Sequence, residues 1–189
     1  MRGTTSPRRP YPTKGRRFSF RRCGYALLAV IVVLGLATAW LFVWPPQGAP
    51  TRADAIVMLQ GEGDRLAAAQ QLAREHRAPV LVISQGRDGY GGPCVPAMPG
   101  VKVVCFDPDP PDTRGEAEFV GRLARQDHWR SVIVVTTRAQ DRRARILVSR
   151  CFTGSVYVST AAVPLRNWPY QVVYEWGALV KALTLNRAC

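Results

Sequence analysis

Asp54-Ala-Ile-Val-Met-Leu59 runs into Gln60-Gly-Glu-Gly-Asp64 and then into Arg65-Leu-Ala-Ala-Ala-Gln-Gln-Leu-Ala-Arg-Glu75. The first six residues are a short, nearly unbroken apolar run, the type of strand that is buried on both faces of a parallel sheet. Two glycines punctuate the chain after it. From Arg65 onward Leu66, Ala69, Leu72 and Ala73 recur at helical spacing and form the expected buried face. Strand, glycine turn and amphipathic helix in this order are the repeating step of a layered α/β fold.

The same step recurs further along. Pro79–Ser84, Lys102–Phe106, Ser131–Thr136 and Ser155–Val158 are the other apolar runs. Helical periods lie between them, with Phe119, Val120, Leu123 and Ala124 as the buried face of 113–126 and Ala144, Leu147 and Val148 as that of 139–150. A last helix around 172–185 places Val172, Trp176, Leu179, Val180 and Leu183 on one face. The expectation is a three-layer, doubly wound α/β fold with a mostly parallel sheet of about five strands. Strand order is not readable from runs of equal character. The 139 residues that follow the first 50 suit a single domain.

Upstream, Gly24 to Trp44 contains no charged residue, and at about 1.5 Å per residue a helix of that length crosses a hydrocarbon core of about 30 Å. Tyr25 stands at one end, Trp40 and Trp44 at the other, as at membrane interfaces. Arg16, Arg17, Arg21 and Arg22 abut the N-terminal end alone, which places that end in the cytoplasm and the following domain outside it. The rival reading is a cleaved signal peptide with Ala37-Thr-Ala39 as its small-residue site, but cleavage there leaves Trp40-Leu-Phe-Val-Trp44 as a hydrophobic new terminus. The expected organisation is a basic tail over 1–23, a membrane span over 24–44, a Pro-rich linker over 45–53 and an extracytoplasmic domain over 54–189.

The chain carries 26 Lys and Arg against 13 Asp and Glu, a net +13, yet residues 1–24 hold eight of the basic residues and no acid. The extreme charge therefore belongs largely to the tail, which reads as a topology signal or a segment drawn to anionic headgroups, and nucleic acid is not an implied partner. An exported domain occupies a disulfide-permissive compartment. Cys94 lies in a Gly/Pro-rich loop and Cys105 on the next strand, and a turn at Pro99-Gly100 folds one toward the other, so these two are the expected pair. Such a small loop is stabilised by roughly 3 kcal/mol in the chain-entropy model. Cys151 and Cys189 remain open as a second pair, and Cys23 stands at the cytoplasmic edge.

In an open α/β sheet ligands bind outside the carboxyl ends of the strands, and that rule selects the candidate residues: Gly61, Gly63, Asp64, Ser84, Thr113, Glu116, Thr136 and Arg143. The glycines and the helix starts supply amide donors for an anion, Arg143 a fork for phosphate or carboxylate, and Glu116 or Asp64 a general base. Each has a structural alternative. The glycines are also explained by a tight turn, Ser84 by a strand-end hydroxyl, and Thr113-Arg-Gly-Glu116 by a capping box. Leu66 occupies the third glycine position of a dinucleotide fingerprint and Ser84 stands where its acid belongs, which argues against that cofactor and leaves none assigned. Asp107, Asp109 and Asp112 are carboxylates near one another, but prolines and a helix start account for them as a turn, and no metal is assigned. Arg138, Arg142 and Arg143 oppose the dipole at a helix start unless carboxylates or a ligand offset them, and His76 and His128 fall at helix C-termini as structural residues.

Taken in order, several segments carry a family likeness. Asp54-Ala-Ile-Val-Met-Leu-Gln-Gly61 with Arg65-Leu-Ala-Ala-Ala69, Pro79-Val-Leu-Val-Ile-Ser-Gln-Gly86, Asp112-Thr-Arg-Gly-Glu-Ala117, and Val134-Val-Thr-Thr137 with Arg143-Ala144 resemble the successive motifs of the bacterial YdcF/SanA/ElyC-like proteins. The resemblance covers about Asp54 to Leu183. It implies an envelope-associated α/β domain, in some members carried on one N-terminal membrane helix, with a part in envelope biogenesis or barrier function. Two departures stand out: Gln140 occupies a position where the family often has His, and the family's Glu-Asn pair appears as Gly115-Glu116. The implied protein binds, and in the fuller reading transforms, a small anionic ligand that is nucleotide-like or phosphorylated. The alternative is a non-enzymatic binding or scaffold protein with a vestigial pocket.

Overall fold

The computed structural model describes residues 20–45, 48, 50–86 and 94–189, in two compact units whose boundary along the chain falls between Leu36 and Ala37. The basic tail and the Gly/Pro-rich residues 87–93 fall largely or wholly outside the described residues. The chain is helical from Phe20 onward, α1 (Phe20–Thr38), whose last two residues already belong to the second unit; Leu27, Leu28, Val30 and Ile31 in the first are exposed. The stretch Arg22–Val43 is long and apolar enough to cross a membrane, consistent with a single-pass anchor.

The second unit is a mixed α/β fold. Its elements after the apolar segment are β1 (Ala55–Met58), α2 (Arg65–Arg74), β2 (Val80–Ser84), β3 (Lys102–Phe106), α3 (Thr113–Gln126), β4 (Ser131–Thr137), α4 (Asp141–Cys151), β5 (Ser155–Ala161) and α5 (Trp168–Thr184). Five strands pair in parallel in the order β3-β2-β1-β4-β5. Ala55 faces Val80 on one side and Val132 on the other, so β1 lies at the centre. The alternation of strand side chains divides the core. Ala55, Val57 and Leu59 pack with Ala117, Val120 and Ala124 of α3 and with Ala144 and Val148 of α4. Ile56 and Met58 pack on the opposite face with Ala69 and Ala73 of α2.

Burial on both faces holds for β1, β2 and β4, whereas β3 and β5 are the sheet edges and are partly exposed. Asp54 locks the start of the central pair, accepting from the amides of Arg130 (2.7 Å) and Ser131 (2.8 Å) and from the Ser131 hydroxyl (3.1 Å). Burial works against its charge, and these donors outweigh that and hold the Asp54 carboxyl below its ordinary range.

Three helix readings change. Leu66, Leu72, Phe119 and Leu123 are half-buried rather than core, because the alanines and Val120 beside them face the sheet more directly. In α5 the buried face is Gln171, Glu175, Leu179 and Ala182, while Val180 and Leu183 are exposed. The helix start before Thr113 is capped by Asp112, whose carboxylate accepts from the amides of Arg114 (2.8 Å) and Gly115 (3.2 Å), in place of the expected Thr113–Glu116 box. His76 and His128 take positive φ, 52° and 56°, immediately after α2 and α3, where Arg77 and Trp129 close the helix ends by donating to Leu72 and Ala124 carbonyls.

Around the end of the apolar segment, Ala39–Val43 widens into a π-helical turn that delivers Phe42, fully buried, against Ala139, Leu179 and Trp176. In the expected linker, Gly48 bridges to Val158 and the Pro50 carbonyl accepts from Arg77 (2.6 Å), so these residues are bound to the sheet edge and to the end of α2. Cys94 and Cys105 form a disulfide, as do Cys151 and Cys189, and Cys23 is free.

Candidate functional site

The turn after β1 is built around one side chain. Gly61 and Gly63 have φ of 130° and 95°, which glycine alone adopts without strain. Arg65 folds back beneath them, its Nε donating to the Glu62 carbonyl (2.8 Å) and its Nη1 to the carbonyls of Leu59 (3.3 Å) and Gln60. A Cβ on Gly61 would stand 2.7 Å from that guanidinium. At Gly63 the reason is the end of β5: a Cβ there would stand 2.7 Å from the Ala162 carbonyl oxygen. The glycines therefore serve packing first. Burial lowers the Arg65 guanidinium to about 10, against the opposing pull of Glu116, Glu175 and Glu62.

Glu116 reaches under the same turn from α3. Its Oε1 accepts from the Gln60 amide at 2.6 Å and the side chain is fully buried. Burial pushes its carboxyl up to about 7, although the Gln60 amide, the neighbouring Ser84 hydroxyl and the charges of Arg65 and Arg143 all favour the anion. Among the described residues neither Glu116 Oε2 nor the buried Ser84 Oγ has a partner in full hydrogen-bond geometry.

A second network joins α3, β4, α4 and α5. The Thr136 hydroxyl donates to Gln140 Oε1 (2.8 Å), Gln140 Nε2 donates to Thr113 Oγ1 (3.1 Å), and Arg143 Nη1 donates to the same Thr113 oxygen (2.7 Å). Arg143 then grips Glu175 with two parallel bonds of 2.8 and 2.7 Å. Burial alone would weaken the Arg143 charge, but the bonds and charge of Glu175 hold its guanidinium above the ordinary range. The three arginines expected to oppose the α4 dipole are thus partly offset from within, Arg143 by Glu175 and the helix start itself by Asp141, which also pairs with Arg145. Burial raises the Asp141 carboxyl, with Arg145 and Arg142 pulling the other way.

These parts surround a cleft of about 360 Å³. The β1 turn contributes Gln60, Gly61 and Glu62, with Arg65 from α2. The α3 start contributes Asp112 and Thr113, β4 and α4 contribute Thr137, Gln140 and Arg143, and α5 contributes Tyr170, Gln171, Tyr174 and Glu175. Of the residues expected from sequence, Gly61, Thr113 and Arg143 line the cleft. Glu116, Ser84 and Thr136 are buried outside its lining, and Asp64 is exposed with Gly63 away from it. Neither Glu116 nor Asp64, the expected general bases, is among the residues that line the cleft.

The carboxylates that do face it are already engaged. Glu62 accepts from Asn167 (3.1 Å) and Gln171 (3.3 Å), Asp112 caps α3, and Glu175 is held by Arg143. The amides of Gly61, Glu62 and Gly63, by contrast, make no hydrogen bond to the described residues. Tyr170 and Tyr174 stack with ring centroids 6.2 Å apart and form an aromatic wall. Sequence reading missed this wall and Glu175 because both sit on a helix read by its apolar face. The available signal was a lone acid in a C-terminal stretch, 163–189, that contains no other. Among the described residues no cluster of His, Cys, Asp and Glu could hold a metal ion. Comparison with family models, curated proteins and solved structures finds no match for the chain.

Proposed function

We propose that the chain is a membrane-anchored, extracytoplasmic protein of the YdcF/SanA/ElyC-like kind, acting in envelope biogenesis or barrier function, and that its cleft binds a small anionic ligand, nucleotide-like or phosphorylated. The observation that carries the ligand reading is the convergence on one cleft of the Gly61 and Glu62 backbone, whose amides make no hydrogen bond to the described residues, the Arg65 guanidinium and the Tyr170–Tyr174 wall. Amides and a buried guanidinium suit an anionic group, and the tyrosines suit a ring. The strand order, in which the chain winds outward from β1 on one side and through β4 on the other, supports a doubly wound, three-layer reading in which ligands gather at the switch point between β1 and β4. The order of the motifs on β1, α2, β2, α3, β4 and α4 supports the family. The basic flank of the apolar helix and the two disulfides support export.

Binding without turnover is the form of this reading that the site favours. Gln140 has no proton to exchange at neutral pH, both ends of its amide are spent, and each carboxylate lining the cleft is bonded within the protein. The test is calorimetric titration of the full chain in detergent with a nucleoside diphosphate, a sugar phosphate and inorganic phosphate. A phosphorylated ring compound should bind more tightly than phosphate, and Tyr174→Ala, an exposed change, should weaken it several-fold. No binding by any of the three, or binding untouched by Tyr174→Ala, overturns the assignment of the cleft. Steady conversion of a bound compound overturns the absence of turnover.

A further inference from the structure

The outward side of α5 bears an apolar stripe that the cleft does not use. Val173, Val180 and Leu183 are 74%, 54% and 48% exposed and stand three residues before, four after and seven after Trp176, so the four share one helix face. Trp176 is itself fastened to the end of the apolar segment. Its Nε1 donates to Thr38 Oγ1 at 3.1 Å and its ring meets Phe42 edge-on with centroids 5.4 Å apart. The stripe is therefore continuous with sequence that is apolar enough to cross a membrane. Beside it Trp40 is exposed beneath the Arg142 guanidinium, 4.1 Å from its ring, a pairing suited to the headgroup level.

Charge points the same way. From Val163 to Cys189 the sole acid is Glu175, buried against Arg143, whereas Arg166, Lys181 and Arg187 are exposed. We propose that α5 lies along the bilayer surface as an interfacial helix. Its Val173, Val180 and Leu183 side chains enter the boundary between headgroups and acyl chains, and Arg166 and Arg187 reach anionic headgroups. The bilayer is the fitting occupant because the stripe runs on from the apolar segment. A second copy placed across the same face would set like charges against each other. The inference does not depend on what the cleft binds.

The test uses the full chain, with Cys23→Ser, at one copy per nanodisc containing one-third anionic lipid. An environment-sensitive probe is attached at Val173→Cys, Val180→Cys or Leu183→Cys, and at Ala67→Cys, an exposed position on α2 across the sheet. The three α5 probes should be quenched several-fold more by shallow nitroxide lipids than the Ala67 probe and protected from an aqueous quencher. Arg166→Glu with Arg187→Glu should reduce that protection. Equal aqueous quenching at all four sites overturns the proposal. Protection that arises only when two copies share a disc also overturns it, in favour of a protein interface.

Discussion

Arg143 on α4 and Glu175 on α5 meet fork to fork, with only 11% and 6% of their side chains exposed. The fork expected to take an external anion is thus occupied by a carboxylate of the same chain. Removing one partner strands the other charge in a poorly solvated site, which typically costs about 3–5 kcal/mol, whereas replacing both by apolar groups is often neutral or better. Arg143→Ala should therefore lower the melting temperature strongly. Arg143→Met with Glu175→Leu should recover most of the loss. Equal destabilisation by the single and double variants counts against a charge-pair origin.

Glu116 gives stability a pH dependence of defined sign. Its folded carboxyl titrates near 7 and an exposed glutamate near 4.5, so the folded state holds a proton that the unfolded chain has released between these values. The contribution of Glu116 to stability is full below about 4.5, is lost as pH rises to about 7, and is then flat, for an order-of-magnitude loss of about 3 kcal/mol. Glu116→Gln keeps an acceptor for the Gln60 amide and removes the titration. Melting curves from pH 4.5 to 8 should slope for the natural chain and flatten for the variant, and an unchanged slope assigns the effect elsewhere.

Two glycines should respond oppositely to alanine. At Gly63 the positive φ and the Ala162 carbonyl, 2.7 Å from a new Cβ, should cost about 1–3 kcal/mol. At Gly177, in α5, a new Cβ meets nothing within 4 Å, so alanine should stabilise by about 0.5–1 kcal/mol through helix propensity. Thermal unfolding of the two variants in the same detergent reads both signs at once.

Thiol chemistry joins the bridges to the orientation. In native membranes only Cys23 should react with a permeant alkylating agent, and unreduced peptide maps should show Cys94 joined to Cys105 and Cys151 to Cys189. Alkylation of Cys94 and Cys105 without prior reduction would place the domain in a reducing compartment and remove the proposed outward topology.

The strands were legible because β1, β2 and β4 are buried on both faces and cannot carry polar residues between their ends. Their order was not, since neighbouring parallel strands of Val and Ile carry no mark of which partner each prefers; the pairing of Met58 with both Ile83 and Val135 is a property of the assembled layers. Thr113 and Glu116 illustrate a local pattern overridden by tertiary structure. Their spacing fits a cap, but Arg143 and Gln140 claim the threonine and the Gln60 amide claims the glutamate, from 30, 27 and 56 residues away. In α5 the apolar face of the sequence includes Val180 and Leu183, which are exposed, whereas Gln171 and Glu175 face inward to partners at Glu62 and Arg143. Periodicity reports that a helix has two unlike faces. Which one meets water depends on neighbours that the helix does not encode.

The guanidinium tucked under the turn after β1 makes positions 61 and 65 a single unit of sequence variation. Bulk at 61 takes the volume that the Arg65 fork occupies, and loss of the fork at 65 leaves the Leu59, Gln60 and Glu62 carbonyls without their donor. Lysine is no substitute, because one ammonium cannot reach as a planar fan the three carbonyls that lie three to six residues before it. Chains that share this turn should therefore keep glycine and arginine together.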